Sequence, residues 1–392
     1  MAANRKTSHL REVLPSGIDL RVRRDTYDYN LLAAVILLTC FGLVMLYSTS
    51  AYEAQMNHGS DMFYFKKQAI ISLACIIIVV IGSQVDYHLY TPFALLFYFF
   101  SLGMLVATRF IGREVNGAKR WIYIGGVSFQ PAEMAKLAII LLLPVIIVKM
   151  GKNMRGVMAP GIVLGVGGIC AAFTYIFTEN LSTGLIIAAI TYILVFIVYP
   201  DTRKYLLVTA IIAAVFGLGI MAVLMKVGAD TSSFRLRRIL VWLHPEDYSD
   251  EGGYQVMQGL YAIGSGGFFG KGLGNSTQKL GALPEAHNDM IFSIICEELG
   301  LFGALLVVML FVFLLSRLYV IARSAPDLLG SLIVTGIFIH IALQVVLNIA
   351  VVINMIPTTG ITLPFVSYGG TSILFLMLEM MVALSVSRQA GR

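Results

Sequence analysis

The run Leu301-Phe302-Gly303-Ala304-Leu305-Leu306-Val307-Val308-Met309-Leu310-Phe311-Val312-Phe313-Leu314-Leu315 contains no charged side chain. Extended outward to 289–316, it exceeds the about 20 apolar residues a helix needs to cross the hydrocarbon core. The same reading along the chain predicts further spans near 30–49, 68–85, 90–108, 131–148, 159–177, 183–199, 206–226, 328–353 and 369–387. The fifth and sixth are divided only by Glu179-Asn180-Leu181-Ser182, a polar break read as a candidate kinked or re-entrant turn.

Composition agrees. Of 392 residues, 58% are hydrophobic and 13% charged, and mean hydropathy is +0.84. A soluble domain carries about 25% charged residues, so this chain needs hydrocarbon as its solvent. The fold class expected is an all-α integral membrane protein of about ten transmembrane helices, a single membrane domain over 29–388. A large extracellular loop, 227–288, separates the seventh and eighth helices. A tail at 1–28 and a short end at 389–392 flank the domain. No internal repeat or low-complexity tract is visible.

The first thirty residues are polar and basic, with Arg5, Lys6, Arg11, Arg21, Arg23 and Arg24. No apolar run with a cleavage site precedes the first span, which is expected to stay in the membrane. With the N-terminus inside, the inner segments hold roughly 15 Lys and Arg; the short outer loops hold about 6, namely Lys66, Lys67, Arg109, Arg113, Lys119 and Arg120. An even number of spans then puts both termini in the cytoplasm. The net charge of +6 is scattered over loops and forms no nucleic-acid reading element. Cys40, Cys75, Cys170 and Cys296 are widely spaced among apolar neighbours and read as small core residues.

Polar residues concentrate in three stretches, Gly112 to Lys136, Arg235 to Asp289, and Asn354 to Gly370. Glu133 and Lys136 lie three apart just inside a predicted span, share a helix face and can pair. A structural ion pair and a pair lining a substrate cavity both satisfy that spacing. Glu285, His287 and Asp289 stand where the long loop enters the eighth span, followed by Glu297 and Glu298. A carboxylate against an apolar wall is placed to have a raised pKa and act as a base; acids at a helix N-terminus also simply favour the macrodipole. Arg235, Arg237, Arg238, Lys271 and Lys279 are solvated loop charges or a pyrophosphate grip. No metal site is legible: zinc would need converging His or Cys ligands, and only His287 and His244 are near. The glycines at 264–274 lack the order of a phosphate loop and read as a mobile, tightly turning loop.

Several pieces resemble a known family. They are Asn116-Gly117-Ala118-Lys119-Arg120-Trp121, Gln130-Pro131-Ala132-Glu133 with Lys136, and Gly253-Tyr254-Gln255 with Gln258. Then come Gly272-Leu273-Gly274-Asn275-Ser276, Leu283-Pro284-Glu285-Ala286-His287-Asn288-Asp289, Glu297-Glu298-Leu299-Gly300, Asn348 and Leu363-Pro364-Phe365-Val366-Ser367-Tyr368-Gly369-Gly370. In this order and spacing, from about residue 28 onward, the chain is similar to the SEDS family (shape, elongation, division and sporulation). These are membrane glycosyltransferases that polymerise peptidoglycan from lipid II. Gly274-Asn275-Ser276-Thr277-Gln278-Lys279 and Thr362-Leu363-Pro364-Phe365 look more like the FtsW and SpoVE branch than RodA. Ala132 stands where the family usually has Ser, Asn288 where it often has Thr, and Glu179 to Gly184 replaces a Pro-Asp-x-Gly-Thr pattern.

The resemblance implies a ten-helix SEDS fold with an outward-facing cavity and a partner, a class B penicillin-binding transpeptidase, among other division proteins and membrane lipids. It maps the family's catalytic aspartate onto Asp289. The expected substrates are lipid II and the growing undecaprenyl-pyrophosphate-linked glycan, joined by one inverting displacement. Lys119, Arg120 and Arg238 are candidates to hold pyrophosphate, with Glu133, Lys136, Glu285, His287 and Ser367 as further substrate-binding candidates. A divalent cation, Mg or Mn, could share the pyrophosphate work. The rival is a lipid II flippase, which would need polar groups through the whole membrane depth; here the inner halves of most spans read as plain Leu, Ile and Val.

Overall fold

The computed structural model describes residues 27–115, 118–124, 127–200, 202–226, 234–248 and 252–390. Most of the 1–28 tail, Asn116-Gly117, Ser249 and the last two residues therefore lie outside the described residues. The long helices are α1 (Tyr29–His58), α2 (Phe63–Gly82), α3 (Ala94–Ile111), α4 (Pro131–Met150), α5 (Met158–Thr178), α6 (Leu181–Val198) and α7 (Thr202–Lys226). Two shorter helices follow, α8 (Phe234–Leu243) and α9 (Tyr254–Gly266), then α10 (Ile291–Ser324), α11 (Leu328–Val352) and α12 (Ser372–Gln389).

Three of the long helices, α1, α6 and α11, start where a side chain satisfies a free backbone N–H group. Asp28 accepts from Leu31 N at 2.9 Å, Asn180 from Thr183 N at 3.0 Å and Asp327 from Gly330 N at 2.7 Å. Pro131 opens α4, where its missing N–H costs nothing. Among the described residues, nine helices are long and apolar enough to cross a bilayer. A further one, α7, has 25 residues, about 37 Å at helical rise. The start of α1 and the end of α12 share one face, since Asp28 N donates to Ser387 Oγ at 3.2 Å. An even number of crossings requires this. Large apolar side chains such as Leu96, Phe100, Phe302 and Met309 are exposed on the flanks, as lipid contact demands.

Four features differ from the sequence reading. The break at 179–182 is neither a kink nor a re-entrant turn: Glu179 adopts a left-handed φ of 53°, Asn180 caps α6, and two separate spans result. The all-α expectation omits a small antiparallel sheet, β1 (Arg113–Val115), β2 (Ala118–Ile124) and β3 (Val127–Phe129) in that order. Two of its strands have only three residues, and β2 opens on Ala118-Lys119-Arg120-Trp121 without a clean apolar alternation. Cys40 is exposed, whereas the other three cysteines are buried.

The fourth concerns 289–316, which is not one straight crossing. Helix α10 begins at Ile291 and breaks at Gly300, with φ 66° and ψ −165°. A Cβ there would lie 2.4 Å from Gly270 N, so only glycine fits. The chain after α9 repairs the break: Lys271 N and Gly272 N donate to Glu297 O and Glu298 O, each at 2.9 Å, and Leu301 N donates to Gly267 O at 2.9 Å. The glycine-rich stretch turns tightly but is pinned rather than mobile. Buried Glu297 takes Lys271 Nζ at 2.6 Å and Glu298 takes Lys279 Nζ at 2.7 Å, with Ser48 Oγ of α1 donating to Glu298 at 2.7 Å. Lys271 and Lys279 thereby neutralise buried acids, a use that neither solvated loop charge nor a pyrophosphate grip anticipates.

Candidate active site

Above the N-terminus of α10, residues 283–290 form a compact turn. Glu285 has a left-handed φ of 56°. Its carbonyl accepts from Asn288 N at 3.0 Å and Met290 N at 3.3 Å, and its carboxylate accepts from the Asn288 amide. This curl presents Asp289 to the loop joining α11 to α12. Asp289 Oδ1 is buried without a hydrogen-bond partner, and a Cβ built on Gly360 would lie 3.8 Å from Oδ2. Burial first, and the Glu285 carboxylate second, push the Asp289 carboxyl up to about 7, against the opposing pull of Arg238 and His287. Such a group can accept a proton near neutral pH.

The loop at 354–371 is held through its carbonyls, each by a side chain. Trp242 Nε1 donates to Asn354 O at 3.1 Å, Arg238 to Thr358 O at 3.1 Å and Ser182 Oγ to Thr359 O at 3.0 Å. From α11, Asn348 Nδ2 donates to Ile361 O at 2.7 Å and to the carbonyl of Asp289 itself at 2.8 Å. Gln344 Nε2 donates to Thr362 O at 3.1 Å. Ser367 Oγ accepts from Leu363 N at 2.8 Å, closing the turn that follows. Loop backbone without secondary structure stays dry only when its polar groups are so partnered.

The expected residues separate into groups. Arg238 reaches both the loop and the field of Asp289. His287 packs between Tyr64 and Tyr368, with ring centroids at 5.2 and 5.7 Å, and Glu53 Oε2 lies 3.3 Å from its Nδ1. Arg120 instead turns to the α5–α6 connection, donating to Glu179 O at 3.3 Å, and burial lowers its guanidinium from the ordinary value. Lys119 sits on β2 across from Glu114. Ser367 serves the loop's own turn. Glu133 and Lys136 are nearly sealed and form a brace at 2.8 Å. Glu133 accepts from Ser372 Oγ of α12 at 3.1 Å, and Lys136 donates to Gln344 Oε1 of α11 at 3.0 Å. Among the described residues, no three His, Cys, Asp or Glu converge as metal ligands.

Sequence reasoning gave no role to Glu53, Tyr64, Gln344 or Asn348, and missed His340 and Glu379. A signal existed for three of them: His340, Gln344 and Asn348 are spaced i, i+4, i+8 on one face of an otherwise apolar helix.

Fold and site together define a polytopic membrane protein whose partly buried acid is held at one face of the bundle. The chain belongs to the family of FtsW, RodA and SpoVE cell cycle proteins, whose model matches residues 28–392. It is 36% identical to the probable peptidoglycan glycosyltransferase FtsW of Trichlorobacter lovleyi, covering 93% of this chain and 94% of that protein. It is also 36% identical to the stage V sporulation protein E of Bacillus subtilis, over 94% and 99% of the two chains. Among solved structures, a chain from a peptidoglycan synthase complex that coordinates polymerization and crosslinking superposes with TM-score 0.75 at 25% identity, covering 93% and 98%. The rod shape determining protein RodA of Thermus thermophilus has the same fold, with TM-score 0.65 at 24% identity over 93% and 97%.

Proposed function

We propose that the protein is a peptidoglycan glycosyltransferase that polymerises lipid II at the outer face of the cytoplasmic membrane. The observation that carries the reading is Asp289, a carboxyl with a buried, unpartnered oxygen and a pKa near 7. In this mechanism Asp289 takes the proton of the acceptor sugar's 4-hydroxyl as that oxygen attacks the anomeric carbon of the strand. The bond to undecaprenyl pyrophosphate breaks in the same inverting step, so no covalent nucleophile is needed. Arg238, nearest Asp289 of the three pyrophosphate candidates, offsets the leaving group's charge; Arg120 and Lys119 lie further along the same face. A class B penicillin-binding transpeptidase is the partner that cross-links the product. The purified protein given labelled lipid II, with and without that transpeptidase, should yield glycan ladders; absence of ladders in both would overturn the reading.

The flippase alternative draws on one observation. The pair His340 and Glu379 is buried near mid-depth, so polar groups reach further in than the spans suggested. Among the described residues, no buried acid, base or histidine continues from there toward the Asp28–Arg317 pair at the other end. Transfer of labelled lipid II across vesicles without ladder formation would favour the flippase.

Orientation is part of the proposal, with both termini cytoplasmic and the Asp289 face outside. Glu246, exposed beyond α8, and Lys152, exposed after α4, lie at opposite ends of the bundle. Glu246→Cys should react with an impermeant thiol reagent in intact cells, and Lys152→Cys should not. The reverse pattern would overturn both orientation and mechanism.

A further inference from the structure

We propose that His340 and Glu379 are positioning residues whose hydrogen bond in the middle of the bundle fixes α11 in the rotation that holds Asp289 against the 354–371 loop. This rests on the glycosyltransferase reading for its effect on rate, though not for its effect on structure. His340 Nδ1 and Glu379 Oε2 are 2.9 Å apart and both side chains are 1% exposed. At helical rise, His340 is about 18 Å from the start of α11 and Glu379 about 15 Å from the end of α12. The pair therefore sits near the bilayer centre, where ionisable groups are costly.

Stability gives little reason for it. His340 Nε2 and Glu379 Oε1 are each buried without a partner, and well-packed apolar side chains commonly hold such a site as well or better. Its placement does give a reason. The two helices it joins are those that carry the 354–371 loop between them. On α11 the same face continues to Gln344, which donates to Thr362 O, and to Asn348, which donates to Ile361 O and Asp289 O. One face of one helix thus registers α12, the loop and the Asp289 backbone. Turning α11 about its axis would move all three contacts together, and displacements of about 1 Å at a reacting group can cost about a hundredfold in rate.

The test compares two double variants with the wild type in lipid vesicles. H340L/E379L removes the hydrogen bond without stranding a charge. We expect normal accumulation and thermal unfolding, a KM for lipid II within about twofold, and kcat lowered about tenfold. Amide exchange at Leu363, Val366 and Ser367, which bond within the loop, should quicken about tenfold while α5 and α6 stay protected. H340Q/E379Q keeps a hydrogen bond between neutral amides and should recover both rate and protection. Wild-type kcat and exchange in H340L/E379L would overturn the proposal, as would a glutamine pair as impaired as the leucine pair. A leucine pair that fails to accumulate would show a folding role instead and overturn it too. If the wild type makes no glycan, the glycosyltransferase reading falls, and the exchange comparison still decides this one.

Discussion

Asp289→Asn is expected to insert, fold and bind its transpeptidase normally while polymerising lipid II at least about a hundredfold more slowly, within the range for a lost general base. Asparagine keeps the volume and can still lie against Gly360, but its amide cannot take up a hydroxyl proton. The Asn348 contact survives, because Asn348 donates to the backbone carbonyl of residue 289 and not to the side chain. The pH profile separates this from a general loss of structure. The wild-type carboxyl is raised to about 7, first by burial and then by Glu285, and only its ionised form is a base. The wild-type rate should therefore fall about tenfold per unit as pH drops below about 7, and the asparagine variant should lack that limb. Glu285→Gln should be milder. Removing the Glu285 charge lowers the Asp289 pKa, so the limb should move to lower pH while the plateau changes less. Near-wild-type ladders from purified Asp289→Asn would overturn the assignment and move the search for a base to Glu285. Loss of lipid II flipping with ladders intact would bring the transporter reading forward.

The membrane fold was legible because hydrocarbon imposes a simple rule on sequence, long apolar runs ended by caps. It placed most helix ends to within about five residues, but α1 (Tyr29–His58) and α10 (Ile291–Ser324) run on well past the expected ends at 49 and 316, and Asp289 was singled out by the resemblance of the motif around it. What the sequence hid were contacts between distant segments. Lys271 and Lys279 looked like loop charges because Glu297 and Glu298, their partners, lie 26 and 19 positions away on a helix whose break at Gly300 no apolar pattern marks. The resemblance offered Arg120 as a pyrophosphate candidate, but its hydrogen bond to the Glu179 carbonyl was hidden because that turn lies 59 positions on. Gln344 was given no role, and Asn348 entered only among the residues that carry the family resemblance. Their amides are explained only by the carbonyls of a loop that folds back across the end of their own helix. The pairing of Glu133 with Lys136, by contrast, was local, three residues apart on one helix, and spacing alone exposed it.

That pair gives the second large effect. Replacing Glu133 by Gln or Lys136 by Met should sharply lower accumulation or activity. Each leaves one buried charge without its partner, which typically costs about 3–5 kcal/mol. The pair does more than balance charge, because Lys136 also donates to Gln344 Oε1 and thereby directs the Gln344 amide nitrogen to Thr362 O. The swap E133K/K136E separates the two roles. It restores neutrality, so folding and membrane accumulation should return. A carboxylate at 136, however, cannot donate to the Gln344 oxygen. The amide must then flip to donate to the new acid and give up Thr362 O, or face that acid oxygen to oxygen. Either way the loop beside Asp289 loses a tie, so polymerisation should recover only in part. A double replacement by apolar residues of similar size should likewise fold but polymerise poorly. Single variants that accumulate and polymerise like the wild type would make the pair incidental. A swap that restores the full rate would confine its role to charge balance, leaving Asn348, Arg238 and Ser182 to hold the loop.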